Sequence, residues 1–187
     1  MVRLFGCPFL LAIVLASCSL KEAAGPETVR EVVTMSPEQK LKEMGIVLPA
    51  APAALGAYVP CVRSGNLLFL SGQLPIREGK LIHTGRLGES VSISDAQEDA
   101  RQAVMNALSN VKAFLGSLDR VAKCVKVNGY VASAPNFTDQ PKVLNAASEL
   151  LREIFGEQGR HARVAVGVSE LPLHSPVEID FIFEIKE

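Results

Sequence analysis

The stretch 160-RHARVAVGVSELP-172 decides how the C-terminal half of this chain folds. From Ala162 it alternates as a strand does, with Val164, Val166 and Val168 on one face and Arg163, Ala165, Gly167 and Ser169 on the other. The Val face is expected to point into the core. Arg163 then looks across a shelf of small side chains that leaves space beside it. Two explanations stand: an edge arginine, solvated or paired with a surface acid, or an arginine that holds an anion. A linker, 171–176, leads to a second alternating run from Val177 to Lys186. There Val177, Ile179, Phe181, Phe183 and Ile185 alternate with Glu178, Asp180, Ile182, Glu184 and Lys186. The alternation is expected to put Arg163 and Glu178 together on the face away from the Val and Phe rows. They could pair with each other across a hairpin as readily as serve a ligand.

Working toward the N-terminus, 138–156 reads as a long helix, capped by Thr138 or Asp139, opened by Pro141 and closed by Gly156. Its apolar stripe is Val143, Leu144, Ala147, Leu150, Leu151, Ile154 and Phe155. A strand, Lys123 to Ser133, precedes it. Ser94 to Gly116 is the strongest helix, with Ser94 and Gln97 as its expected capping box. Ala96, Ala100, Ala103, Val104, Ala107, Leu108, Val111, Phe114, Leu115 and Leu118 form its stripe. Earlier come extended pieces around a Gly79-Lys80 turn, and two strands, Val59 to Arg63 and Asn66 to Ser71, around Ser64-Gly65. Ser36-Pro37-Glu38-Gln39 starts a short helix that stops at Gly45. The order β-β-β-α-β-α-β-β describes an α+β domain over 35–187, with about six strands and two long helices on one sheet face. The other face meets solvent or another subunit.

Lys and Arg number 19 against 20 Asp and Glu, a net charge of -1. No block of like charge appears, so neither nucleic acid nor an acidic membrane surface is an expected partner. No Gly-rich phosphate loop and no G-x-S-x-G elbow occurs, and His83, His161 and His174 lack metal-ligand spacing. No cofactor or metal is expected. A Ser169–His174 pair reads as structural. Cys61 and Cys124 lie far apart and are expected as free thiols; a disulfide is not demanded by their spacing.

The first 34 residues differ in character. A basic start, Met1-Val2-Arg3, leads into the apolar run Leu4 to Ala16, too short to span a bilayer. Leu15-Ala16-Ser17-Cys18 resembles the lipobox of bacterial lipoproteins. That resemblance implies a signal peptide over 1–18, lipid on Cys18, a polar tether over 19–34 and a membrane-anchored, exported domain. The alternative is a cytoplasmic protein starting at Met35.

Four segments together resemble the RidA/YjgF reactive-intermediate deaminases, also known as endoribonuclease L-PSP. They are 53-AALGAYVPCVRSGNLLFLSGQLP-75, 96-AQEDARQAVMNALSNVKAFL-115, 143-VLNAASELLREIFG-156 and 162-ARVAVGVSELPLHSPVEIDF-181. The stretch 156-GEQGRHAR-163 matches a longer subgroup of that family. The resemblance implies a chorismate-mutase-like fold, a homotrimer with interfacial pockets, and cofactor-free hydrolysis of enamines and imines such as 2-aminoacrylate to keto acids and ammonia. It places the carboxylate-gripping arginine at Arg163 and the water-orienting glutamate at Glu178. Tyr58, Ser71, Gly72 and Asn145 take the positions that line the ligand. Where the family often has Cys, two residues after the arginine, this chain has Ala165. The alternatives are a non-catalytic binder of small carboxylates on the same fold and a ribonuclease, the latter disfavoured by the balanced charge.

Overall fold

In the computed structural model, residues 35–186 are described, apart from Ala53 and Leu55. The expected signal, tether and lipid-bearing Cys18 lie outside the described residues. Ser36 caps α1 (Pro37–Glu43) through a reciprocal box with Gln39, as its sequence predicts. The chain then forms β1 (Cys61–Ser64) and β2 (Leu67–Leu70), whose turn is Gly65-Asn66, one residue later than expected. Gly65 takes φ +60° there, a conformation that favours glycine. A small ribbon, β3 (Ile76–Arg77) and β4 (Lys80–Leu81), follows.

The cap of helix α2 (Ile93–Leu115) is Ser92, two residues before the expected Ser94. Ser92 accepts from the Asp95 amide and Asp95 returns to the Ser92 amide. A carboxylate at the third helical position also faces the positive end of the helix dipole, which an amide at Gln97 does not match. Gln97 instead donates to the Lys142 carbonyl at 3.0 Å and ties the two long helices together. Next come β5 (Val121–Ala132), α3 (Gln140–Phe155), β6 (Ala162–Val168) and β7 (Val177–Ile185). Asp139 occupies the α3 cap position without a capping bond and pairs with Lys142 at 3.0 Å.

The sheet has five strands rather than about six, in the order β1-β2-β7-β5-β6. The missing strand is the β3–β4 ribbon, which forms a separate two-stranded sheet. Among the described strands only β5 and β6 run parallel, joined through α3; the other pairs are antiparallel. Helices α2 and α3 cover one face, and Leu68, Val127, Val131, Phe181 and Phe183 lie buried beneath them. Burying each Phe side chain contributes ~1.5–3 kcal/mol relative to exposure. Cys61 and Cys124 are free and buried, and burial pushes their thiols up to about 11 and about 12.

Strand β6 is turned over relative to its expected orientation. Its register sets Arg163 opposite the buried Val127 and Ala165 opposite Gly129. Arg163, Ala165 and Gly167 therefore face α3, while Val164 and Val166 lie on the open side, 38% and 40% exposed. The cause is the close approach of α3. Leu144 occupies the space that a Cβ on Gly129 would need, and a Cβ on Gly167 would come within 2.6 Å of Gln140 Nε2. The small residues are the seat of a helix, not an empty shelf.

Candidate functional site

The residues expected to form one site fall into two groups. The first lies between α3 and β6. Asn145 and Ser148 are one helical turn apart on α3. His161 and Arg163 share a face of the extended chain, two residues apart. Arg163 Nη1 donates to Asn145 Oδ1 and to Ser148 Oγ, both at 3.0 Å, and Nη2 reaches the Pro141 carbonyl at 3.5 Å. All three acceptors are neutral, and among the described residues no carboxylate pairs with this guanidinium. Its charge stays available at the edge of a concavity of about 390 Å³, lined also by Asn145, Ser148, Arg152, Arg160 and His161 and by one carboxylate, Glu149, which makes no ion pair with Arg163. Asn145, inferred from sequence alone, is thus a direct partner of Arg163.

The second group lies on the open face of the sheet. Glu178 stands opposite Tyr130, which stands opposite Val166. The next row is Asp180, Asn128 and Val164. Asn128 Nδ2 donates to Asp180 Oδ1 at 2.8 Å and the Tyr130 hydroxyl to Asp180 Oδ2 at 3.2 Å. Among the described residues the Glu178 carboxylate takes no hydrogen bond or ion pair. Burial, and then the charge of Asp180, raise its pKa above the usual carboxylate value. Gly72 is the wall in front of it, since a Cβ there would run into the Glu178 carboxylate. Tyr58 and Gly72 line one small cavity together. Ser71 Oγ donates to the Val59 carbonyl at 2.8 Å and holds the preceding segment against this loop.

Arg163 and Glu178 are therefore not neighbours, which corrects the expectation that they share a face. β5 lies between their strands, and the two side chains leave opposite faces of the sheet. Nor do they pair with each other across a hairpin.

Sequence reasoning missed what positions the 71–77 loop. On α2, Asp99, Gln102, Asn106 and Asn110 are all buried, spaced by three or four residues. Asn110 Nδ2 donates to Gln73 Oε1 at 3.0 Å, and Gln73 Nε2 to the Ser71 carbonyl at 2.9 Å. Asn106 Nδ2 donates to the Leu74 and Ile76 carbonyls at 2.9 and 3.0 Å, and Asn106 Oδ1 accepts from Gln102 Nε2 at 2.9 Å. Arg77 Nε donates to Gln102 Oε1 at 3.1 Å. At the N-terminal end of the row, Asp99 Oδ2 lies 3.2 Å from His83 Nδ1. Burial pushes the Asp99 carboxyl up to about 6, with His83 opposing. The signal available in sequence was this polar row at helical spacing beside the apolar stripe.

The backbone of Gln73 also bridges to Ile179 in both directions, at 2.8 and 3.1 Å. The α2 row thereby fixes the loop directly against the Glu178 strand.

Comparison with known proteins agrees with this architecture. Protein TCP17 of Trypanosoma cruzi is 46% identical over 146 residues, covering 78% of this chain and 91% of that protein. A 2-iminobutanoate/2-iminopropanoate deaminase of Dermatophagoides farinae is 33% identical over 141 residues, covering 75% and 95%. The crystal structure of a protein of unknown function from Agrobacterium tumefaciens superposes with a TM-score of 0.73 at 47% identity, covering 80% and 91%. The family model described as YjgF/chorismate mutase-like matches residues 38–185. The chain belongs to the RidA/YjgF family, whose members include imine deaminases.

Proposed function

We propose that this protein hydrolyses small amino-acid-derived enamines and imines, such as 2-aminoacrylate after its tautomerisation to 2-iminopropanoate. Water adds to the imine carbon, ammonia leaves and a 2-keto acid remains. The observation that carries this reading is the Arg163 guanidinium, held among the described residues only by neutral acceptors beside an open concavity. Such a group binds a carboxylate with two charge-assisted bonds. The similarity to a deaminase of that class adds support.

Arg163, steadied by Asn145, holds the substrate carboxylate. Glu178 orients the water and moves its proton, and a raised pKa brings it nearer the working range of a general acid or base. Tyr58, Ser71 and Gly72 line the substrate on that side. An imine carbon is already electrophilic, so positioning supplies most of the help required. Because the Arg163 and Glu178 groups leave opposite faces of one copy, we propose a homotrimer in which one subunit's Arg163 group meets its neighbour's Glu178 group.

The test is ammonia release from enzymatically generated 2-aminoacrylate. The native chain is expected to accelerate it, and Arg163→Ala to lower the rate by about 10²-fold. Full activity in the variant would remove Arg163 from the site. Saturable pyruvate binding that Arg163→Ala abolishes, with no ammonia from either protein, would identify a binding protein on the same fold. Sedimentation that finds only monomers would contradict the shared pocket.

A further inference from the structure

We infer that Ser148 and His161 are positioning residues for Arg163: they close one edge of its guanidinium so that a carboxylate is taken on the other. The inference rests on the carboxylate-binding reading above and specifies its geometry.

The argument is an accounting of hydrogens. A guanidinium has five N–H groups, one on Nε and two on each Nη. Both Nη1 hydrogens are used, one on Asn145 Oδ1 and one on Ser148 Oγ. The end of the fork, Nη1 with Nη2, therefore has no matched pair left to give. Nε makes no hydrogen bond among the described residues, and Nη2 makes only the long contact to the Pro141 carbonyl. The edge formed by Nε and Nη2 is the one that remains for two parallel bonds to a carboxylate.

Ser148 can close the Nη1 side only if its oxygen lone pair faces Arg163, which requires its hydrogen to point elsewhere. His161 sets that direction. His161 Nδ1 lies 2.7 Å from the Gly159 carbonyl, which can only accept, so Nδ1 carries the ring hydrogen. In the neutral ring Nε2 then bears a lone pair, and Ser148 Oγ donates to it at 3.0 Å. Burial lowers the His161 pKa, with the Gly159 hydrogen bond opposing and the nearby Arg163 charge adding to the shift, so the direction favours the neutral ring that the hydrogen-bond geometry requires. The order Gly159 carbonyl, His161, Ser148, Arg163 is a relay of direction. None of its first three members needs to touch the ligand.

The experiment uses pyruvate as probe on the full chain, with calorimetry for affinity and the ¹H–¹⁵N resonance of Arg163 Nε as a local reporter. Pyruvate is expected to shift that resonance in the native chain. Ser148→Ala and His161→Leu are expected to weaken pyruvate binding by about 3- to 10-fold, the net worth of one ordinary hydrogen bond, since both act on the carboxylate only through Arg163. In turnover the change should appear in KM rather than kcat. Ser148→Thr, which keeps the hydroxyl, should stay near native affinity, whereas a merely structural role would not single out the hydroxyl. The inference is overturned if pyruvate binds while the Nε resonance stays still, a readout that needs no variant. It is also overturned if folded Ser148→Ala binds as the native chain does. If Arg163→Ala itself binds pyruvate normally, the carboxylate reading fails; if that variant loses binding while Ser148→Ala keeps it, only the relay fails.

Discussion

Replacing Asp99 by Asn isolates the acid end of the buried row on α2. The Asp99 side chain is fully buried and meets His83 at 3.2 Å. Burial raises its pKa from 3.8 to about 6. The folded chain thus holds a proton on Asp99 over a range where the unfolded chain has released it. The resulting stabilisation is fully present below the unfolded value of 3.8 and is lost as pH rises through about 6. At about 1.4 kcal/mol per pKa unit, lowering the pH from neutral to about 4 should strengthen the native chain by ~2–3 kcal/mol relative to Asp99→Asn, which cannot titrate. Urea unfolding of both proteins at a series of pH values measures this directly. The difference between the two stability curves should open between about pH 4 and 6 and level off above. Curves that stay parallel across that interval would refute the reasoning, because they would mean that Asp99 titrates alike in the folded and unfolded chains.

Two further outcomes follow from the site and the termini. Gly72→Ala should keep the fold, because the obstructing atoms belong to the movable end of Glu178, while displacing that carboxylate; ammonia release should fall by about tenfold or more with little change in melting temperature, and an active variant would separate Gly72 from the chemistry. Metabolic labelling with a lipid precursor should mark the full chain and fail on Cys18→Ala, whereas an unlabelled, soluble form beginning at Met35 would contradict the export reading.

The apolar periodicity made the fold legible. Both helix stripes are buried as the spacing predicts, save Phe114, which is 48% exposed. The two alternating strands are also real. What alternation cannot state is which of its two faces points inward, because a period of two is symmetric under exchange of faces. For β7 the bulk of Phe181 and Phe183 settles it. For β6 the choice between Val and Ala or Gly depends on how close α3 approaches, a tertiary distance set by Leu144 over Gly129. Arg163 was therefore legible as a candidate for a site and illegible as to side. The α2 row was hidden for a related reason: a buried Asn and a solvated Asn are written identically, and only the backbone carbonyls of the 71–77 loop make the difference.

The inversion of β6 also changes what the open face requires. With Val164 and Val166 turned outward, they join Val62 and Phe69, 53% and 39% exposed, and the half-buried Ile182 on the side without helices. The register confirms one surface: Val62 opposes Phe69, Phe69 opposes Ile182, and Val164 stands beside Asn128 and Asp180. Exposed apolar area in a continuous patch is unfavourable in water and is commonly covered by association. A cover that was wholly apolar would strand the Asp180 carboxylate, but Asn128 and Tyr130 already satisfy it from within the same chain. Glu178 is the acid on this face left without a partner among the described residues. Covering the face with another copy would thus cost little at Asp180 and would bring foreign groups to Glu178. The proposed trimer would thus use this face to bring a neighbour's Arg163 group, which leaves the opposite side of its own sheet, to the unpartnered Glu178.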